Sequence, residues 1–306
     1  GEAVGGLGKN DFILILMNQF QKKMMMSYGS DRVCIDSTHG ITGHDFLLTS
    51  LLIVDEYDEG IPVAFMLSSA TDTATFKHFY QCLKDVVGII RTDHFMSDDA
   101  PAFYNAWVDV MGPADRRLLC SWHMDRAWQG RLSSIKDPEK RRSIYKALRV
   151  CHLKLDEDKF KTYFSSLLDD LDNDGDASVV DFGAYLQKMY AGRTQVWAYS
   201  YRKHARLNTN MRIETFHRIL KHTFLHGKKV KRVDKGIEAL FEYLRSKQFD
   251  RLEKLHFGKL SKRHVSIIKH HRKGQELVSS IEQCSESSWR ILSTSNPDVM
   301  YSIHRT

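Results

Sequence analysis

Cysteine is scarce in this chain. The five cysteines, Cys34, Cys82, Cys120, Cys151 and Cys284, are scattered and odd in number over 306 residues. That usage argues against a disulfide framework and for a reducing compartment. Long apolar runs are missing too: no stretch approaches the roughly 20 residues of a membrane span, and the N-terminus lacks a signal-peptide pattern. What is present, 42% hydrophobic and 27% charged residues, suits an ordinary soluble globular protein with one large domain or one domain carrying an insertion.

Charge is unevenly spread. From Tyr201 to Arg272 there are 20 Lys and Arg against 6 Asp and Glu, and eight of the 15 histidines fall in the same stretch, whereas the whole chain carries only +7. A block of this kind is the electrostatic footprint of a polyanion partner, or else a solvated basic face.

The opening "GEAVGGLGKN" reads as a linker, and residues 11–28, Met-rich and amphipathic, as a helix. Strands are expected at "RVCID" (32–36), "FLLTSLLIVD" (46–55) and "IPVAFMLSS" (61–69), with "EYDEG" as a hairpin turn. A helix over 73–88, a strand "HFMSD" (94–98), a helix over 100–112 and a strand "RRLLCSWH" (116–123) follow. The strand signal then stops for about 80 residues, replaced by amphipathic segments, one opened by Asp137 as N-cap and Pro138 in the first turn. Helices are expected again over 209–225, which carries Glu214, and 233–256, and the final stretch reads as a strand hairpin.

Three antiparallel strands, a helix, a fourth strand, a helix and a fifth strand make the pattern of an RNase H-like α/β core: a mixed five-stranded sheet flanked by helices. An all-α insertion would separate the fifth strand from the Glu-bearing helix. In that fold an acid on the first strand lies beside one at the end of the fourth, here Asp36 and Asp98. Two adjacent carboxylates repel unless cations separate them, and a pair of Mg²⁺ or Mn²⁺ ions about 4 Å apart suits in-line phosphoryl displacement. Glu214 is the candidate third acid. Asp99 competes with Asp98, but strand register favours Asp98 and leaves Asp99 to begin the helix as a cap.

The segments "CIDSTHGI", "LLTSLLIVDEYDEGIPVAFMLSS", "FMSDDAPAFYNAW", "LLCSWHMDRAW" and "NTNMRIETFHRILKH", in that order over residues 32–225, resemble the Mutator-like element (MULE) transposases, in particular their Phantom-type animal branch. The resemblance implies a DDE triad at Asp36, Asp98 and Glu214 and an insertion from about 125 to 205. It also implies nuclear DNA transposition: cleavage at terminal inverted repeats, then transfer of the freed 3′-hydroxyl into target DNA by a dimer or larger assembly. Cys120, Trp122 and His123 match the family's C-x-x-H element. The organisation expected is a linker and helix (1–30), two core segments (31–124 and 206–256) around the insertion (125–205), and a basic helix leading into a truncated SWIM-like module (257–306). Two other readings share the residues: a domesticated, catalytically silent DNA-binding regulator, and a nuclease without strand transfer.

DNA contacts are expected from Arg206, Asn208, Asn210, Arg212, Arg218 and Lys221 around the Glu helix. Lys228, Lys229, Lys231 and Arg232 lie beyond it, in a cluster that also reads as a nuclear-localisation signal. Cys120 and His123 have the spacing of two metal ligands, with Cys151 and His152 available to complete a zinc site. No partner pair has a standard spacing, however, and packing explains them better, with a catalytic or DNA-flanking role for His123 as a third reading. Trp122 is suited to stacking on a base or to core packing. Asp170, Asp172, Asp174, Gly175, Asp176, Ser178 and Asp181 have calcium-loop spacing, but Asp stands where the bidentate Glu belongs.

Overall fold

A computed structural model describes residues 11–258, 262–293, 296 and 299–304. The glycine-rich opening and its linker reading lie outside them. The chain divides into two compact units, residues 1–250 and 251–306.

The first unit is a mixed α/β structure. Its sheet comprises β1 (Ile13–Leu16), β2 (Arg32–Thr38), β3 (Leu47–Val54), β4 (Gly60–Ser68), β5 (His94–Ser97) and β6 (Arg116–Leu119), in the order β1-β4-β3-β2-β5-β6. The strands β2, β5 and β6 run parallel, and the remaining pairs are antiparallel. Strands β3 and β4 are buried on both faces, which is why they read as continuous apolar runs rather than alternating ones. The hairpin expected at "EYDEG" (56–60) turns over residues 55–59, Gly60 already opening β4, with the Asp55 carboxylate accepting from the Tyr57 and Glu59 amides.

The sheet has six strands, one more than expected. Residues 11–28 are not one helix: Ile13–Leu16 pairs with the outer edge of β4, and α1 (Gln19–Tyr28) begins only after Asn18. Asn18 and Gln21 form a capping box, each side chain bonded to the other's backbone amide, and this fixes the break between strand and helix.

Side-chain alternation sorts the strands' residues between two layers. Val33, Ile35 and Phe95 belong to the layer under α1, α2 (Thr73–Val87) and α3 (Pro101–Met111), where Trp107 of α3 packs with them. Cys34, Met96, Leu118 and Cys120 belong to the opposite layer, with Ile213, Phe216 and Leu220 of α8 (Met211–Ile219) and its continuation, and Leu240 and Tyr243 of α9 (Val233–His256). Gly60 permits α8 to lie this close, since a Cβ there would meet Arg212 Cβ at 2.8 Å and Leu52 Cδ1 at 2.9 Å.

Between β6 and α8 stand α4 (Ser121–Leu132), α5 (Pro138–His152), α6 (Glu157–Asp172) and α7 (Ala177–Tyr190), followed by 3-10 turns to Tyr201. They close around their own aromatic core, in which Trp128, Trp197, Phe160 and Phe182 are fully buried. Asp137 caps α5 as expected. The helical stretch starts earlier than 125, because the chain leaves the sheet at Leu119 and "SWH" is already helical. Arg202 ties this stretch to the sheet: wholly buried, it donates to the carbonyls of Leu119, Val196 and Asn208 and to Ser121 Oγ.

In the second unit, α10 (Lys262–Leu277) precedes a three-stranded antiparallel sheet, β7 (Ile281–Ser285), β8 (Ser288–Leu292) and β9 (Met300–His304). The expected hairpin is the β8–β9 pair, and β7 adds a strand that the sequence reading lacked. Among the described residues no helix is long and apolar enough to cross a membrane.

Candidate active site

Strand register aligns the chemistry. Cys34 pairs with Met96 and Met96 with Leu118 across the three parallel strands, all facing the α8 layer. Two residues on, where a side chain returns to the same face, stand Asp36, Asp98 and Cys120. The first lies within β2, and the other two follow the ends of β5 and β6. Glu214, in the first turn of α8, comes down on this row. Asp36, Asp98 and Glu214 all line one open cavity of about 560 Å³, shared with Trp122, His123 and His217.

The electrostatics follow from burial. Asp36 is 8% exposed, and its carboxyl is pushed up to about 7, first by desolvation and then by the negative charges of Asp98 and Glu214. Desolvation also raises Glu214, against the pull of His123 and Arg126. Lys221 is lowered by burial while Asp36 draws it back up, and its ammonium donates to Thr38 Oγ1 at 2.6 Å. The Asp98 carboxylate also accepts from the Ala100 amide at 3.0 Å, which fixes its rotamer at the strand end.

The three carboxylates share a cavity without closing on one another. Among the described residues, the side-chain groups whose potential ligand atoms all lie within 4.8 Å are Cys120–His123–Glu214 and Asp31–Asp93–His94.

Several contributors escaped the sequence reading. His217, one turn after Glu214, is buried beside Asp36 (Nδ1 to Oδ2 3.6 Å), and its Nε2 meets Ser50 Oγ at 3.1 Å. Burial and Lys221 lower it to about 3, so it is neutral at ordinary pH. Arg126, one turn after Trp122, stacks its guanidinium over the exposed indole at 4.7 Å and rims the cavity. The signal for both was spacing of three or four residues along a helix from a residue already singled out.

The basic and polar residues expected to hold DNA divide. Arg218 and Lys221 do line the cavity. Arg206 and Asn208 are exposed, and the Asn208 carbonyl is taken by Ser121 N and Arg202. Asn210 is 1% exposed and donates to the Ile35 carbonyl at 3.2 Å, so it braces β2 instead of meeting a ligand from solvent. Arg212 points away from the cavity into an ion pair with Asp58 at 2.8 Å. Further on, Lys229 pairs with Asp45 and Arg232 with Asp234, while Lys228 and Lys231 are exposed.

The structure also places three residue groups that the sequence left with competing readings. Asp99 is no helix cap: it makes a bidentate ion pair with Arg193 at 2.5 Å, tying the β5 end to the helical stretch. Cys151 and His152 are buried in the aromatic core, His152 packed against Trp128 and Trp197, so they do not complete a site with Cys120. The acidic stretch from 170 to 181 is no calcium loop, since Asp170 and Asp172 belong to α6 and α7 starts at Ala177. There Asp174 pairs with Lys140 and Asp176 caps α7.

No protein-family model matches the chain, and no curated protein is significantly similar to it.

Proposed function

We propose that the first unit is an RNase H-like catalytic core of a MULE-type DNA transposase, acting on terminal-repeat and target DNA in the nucleus. One observation carries the reading: Asp36, Asp98 and Glu214, from three separate elements, line the same open cavity. The strand order supports it. With β1 set aside, the sheet runs third-second-first-fourth-fifth, and the first two acids stand within β2 and just past the end of the adjacent parallel β5.

The residues fit a divalent-cation pair. Asp36 is raised first by desolvation and then by its acidic neighbours, a tension that bound cations would relieve. Two Mg²⁺ or Mn²⁺ ions held by Asp36, Asp98 and Glu214 would activate an attacking oxygen and stabilise a leaving one. The rest falls to the chain's own groups. Arg126, Arg218 and Lys221 offer positive charge to a phosphodiester, with Lys221 oriented by Thr38. His217, held by Ser50 and neutral, presents a ring nitrogen to Asp36 and restricts its carboxylate. Trp122, 42% exposed at the cavity's edge, offers a flat face to a base. Joining two element ends to one target calls for at least two copies of the chain.

The test supplies terminal-repeat DNA, Mg²⁺ and a target plasmid. Joined product is the expected outcome. Cutting without joining would instead identify a nuclease, and binding without either would identify a silent regulator.

A further inference from the structure

The row that bears Asp36 and Asp98 continues, one strand further, to a cysteine. Cys120 follows the end of β6 and stands at the N-terminus of α4, and His123 lies three residues on, on the same face of that helix. From above, Glu214 reaches the same spot: the ligand atoms of Cys120, His123 and Glu214 all lie within 4.8 Å of one another.

Two of these groups hold unsatisfied atoms. His123 Nδ1 and Glu214 Oε1 are buried and have no hydrogen-bond partner. Native proteins leave few such atoms without a reason, and an absent ion is one. The sulfur is differently placed. It accepts from the Asn210 amide at 3.2 Å, and the Trp122 and His123 amides at the start of α4 also favour its thiolate. Burial outweighs them and keeps the thiol above its usual range. A metal would supply the missing positive charge.

We propose that Cys120, His123 and Glu214 form a site for a thiophilic divalent transition metal, with Zn²⁺ the best match. A thiolate, an imidazole and a carboxylate are zinc ligands, and the soft sulfur discriminates against Mg²⁺. Three protein ligands leave a fourth tetrahedral position open toward the cavity. Glu214 is then shared between two centres of different chemistry. When Zn²⁺ holds it beside Cys120, the Asp36–Asp98 pair lacks its third acid, so Zn²⁺ opposes the Mg²⁺-dependent reaction. That antagonism rests on the transposase reading; the site itself does not.

The test titrates the full chain, kept reduced, with Co²⁺ as a spectroscopic stand-in for Zn²⁺. The expected result is a near-ultraviolet thiolate-to-cobalt band with the visible bands of a four-coordinate ion. Zn²⁺ should erase both, and a large excess of Mg²⁺ should not. Cys120→Ser should remove the near-ultraviolet band, while Asp36→Asn should keep it. His123→Gln should weaken Zn²⁺ binding by roughly a hundredfold or more, at or beyond the loss of an outer-shell partner. Circular dichroism checks each variant's fold. If Cys120→Ser does not fold, the wild-type spectrum and His123→Gln decide. A wild-type spectrum without the thiolate band overturns the proposal, as does a band that survives Cys120→Ser or is lost in folded Asp36→Asn. An intact cobalt band with no joined DNA counts against the transposase reading alone. Joined DNA with no cobalt band counts against the zinc site alone.

Discussion

β2 and β5 run side by side, and each carries an aspartate toward either end. Asp31 and Asp93 stand just before the strands, with His94 beside them, and their ligand atoms lie within 4.8 Å of one another. Asp36 and Asp98 stand at the other end. By proximity alone the first group is the tighter one. Yet Asp31 and Asp93 are exposed, and Asp31 already pairs with Arg32 at 3.0 Å. At the far end α8 and α4 bring Glu214, His217 and His123 over the row, and burial sends the Asp36 carboxyl up to about 7. Water screens the charges at one end, whereas the other needs a counter-charge to be stable. A cluster of acids becomes a site through what covers it.

The sharpest way to break this contrast is substitution at both ends. On the proposed transposase reading, Asp36→Asn should lower Mg²⁺-dependent cutting and joining of terminal-repeat DNA by on the order of a thousandfold, since several kcal/mol of charge stabilisation is at stake. A DNA-joining assay on that variant would refute the site assignment if joining persisted.

Next in size is a pH effect on stability. The unfolded Asp36 titrates near 3.8 and the folded one near 7. Below both values the proton is bound in either state; between them the folded chain keeps a proton that the unfolded chain has lost. Raising pH therefore removes stability, by up to about 4 kcal/mol once pH exceeds 7. Urea melts without divalent ions should show Asp36→Asn gaining on the wild type from pH 4 to 7, with added Mg²⁺ narrowing the gap. A pH-independent difference would mean that Asp36 is not strained.

Smaller again is the effect of His217. His217→Gln should weaken Mn²⁺ binding, read by electron paramagnetic resonance, by about 10–100-fold, as expected for a group that orients a ligand. Because the folded His217 titrates near 3, its contribution should be flat from pH 5 to 8. A wild-type Mn²⁺ affinity in His217→Gln would reduce the residue to packing.

Asp99→Asn removes the Arg193 pair, whose side chains are 37% and 29% exposed. Solvent screening limits the cost to about 1 kcal/mol, visible as a lowered thermal midpoint with divalent binding unchanged. The smallest effect belongs to the open end of the sheet, where Asp31→Asn should leave joining within about twofold, in keeping with surface substitutions generally.

Much of the frame was legible. The apolar runs of β2, β3 and β4, the turn at 55–59 and the amphipathic helices announce themselves through local periodicity. Ile13–Leu16 was missed because a short strand beside a helix shares its apolar character, and only pairing with β4 distinguishes it. Asn210 and Arg212 look like surface polar residues along a basic stretch, yet one is sealed beneath β2 and the other is drawn to Asp58. The acidic run near 174 imitates a metal loop because caps and ion pairs use the same residues.

By itself the sequence determined most of the strands and helices, since backbone preference and apolar spacing act over a few residues, whereas Ile13–Leu16 became a strand only by pairing with β4. It also determined that Asp36 and Asp98 stand two positions beyond the buried Cys34 and Met96, and so on the same face as them. Only the tertiary structure decided that Cys120 joins their row and that His123 and Glu214 share a spot with its sulfur. It likewise placed His217 against Asp36, 181 positions earlier in the chain. Those neighbours meet through strand register and helix packing, which no local pattern encodes, and the burial that gives the acids their chemistry exists only after they have met.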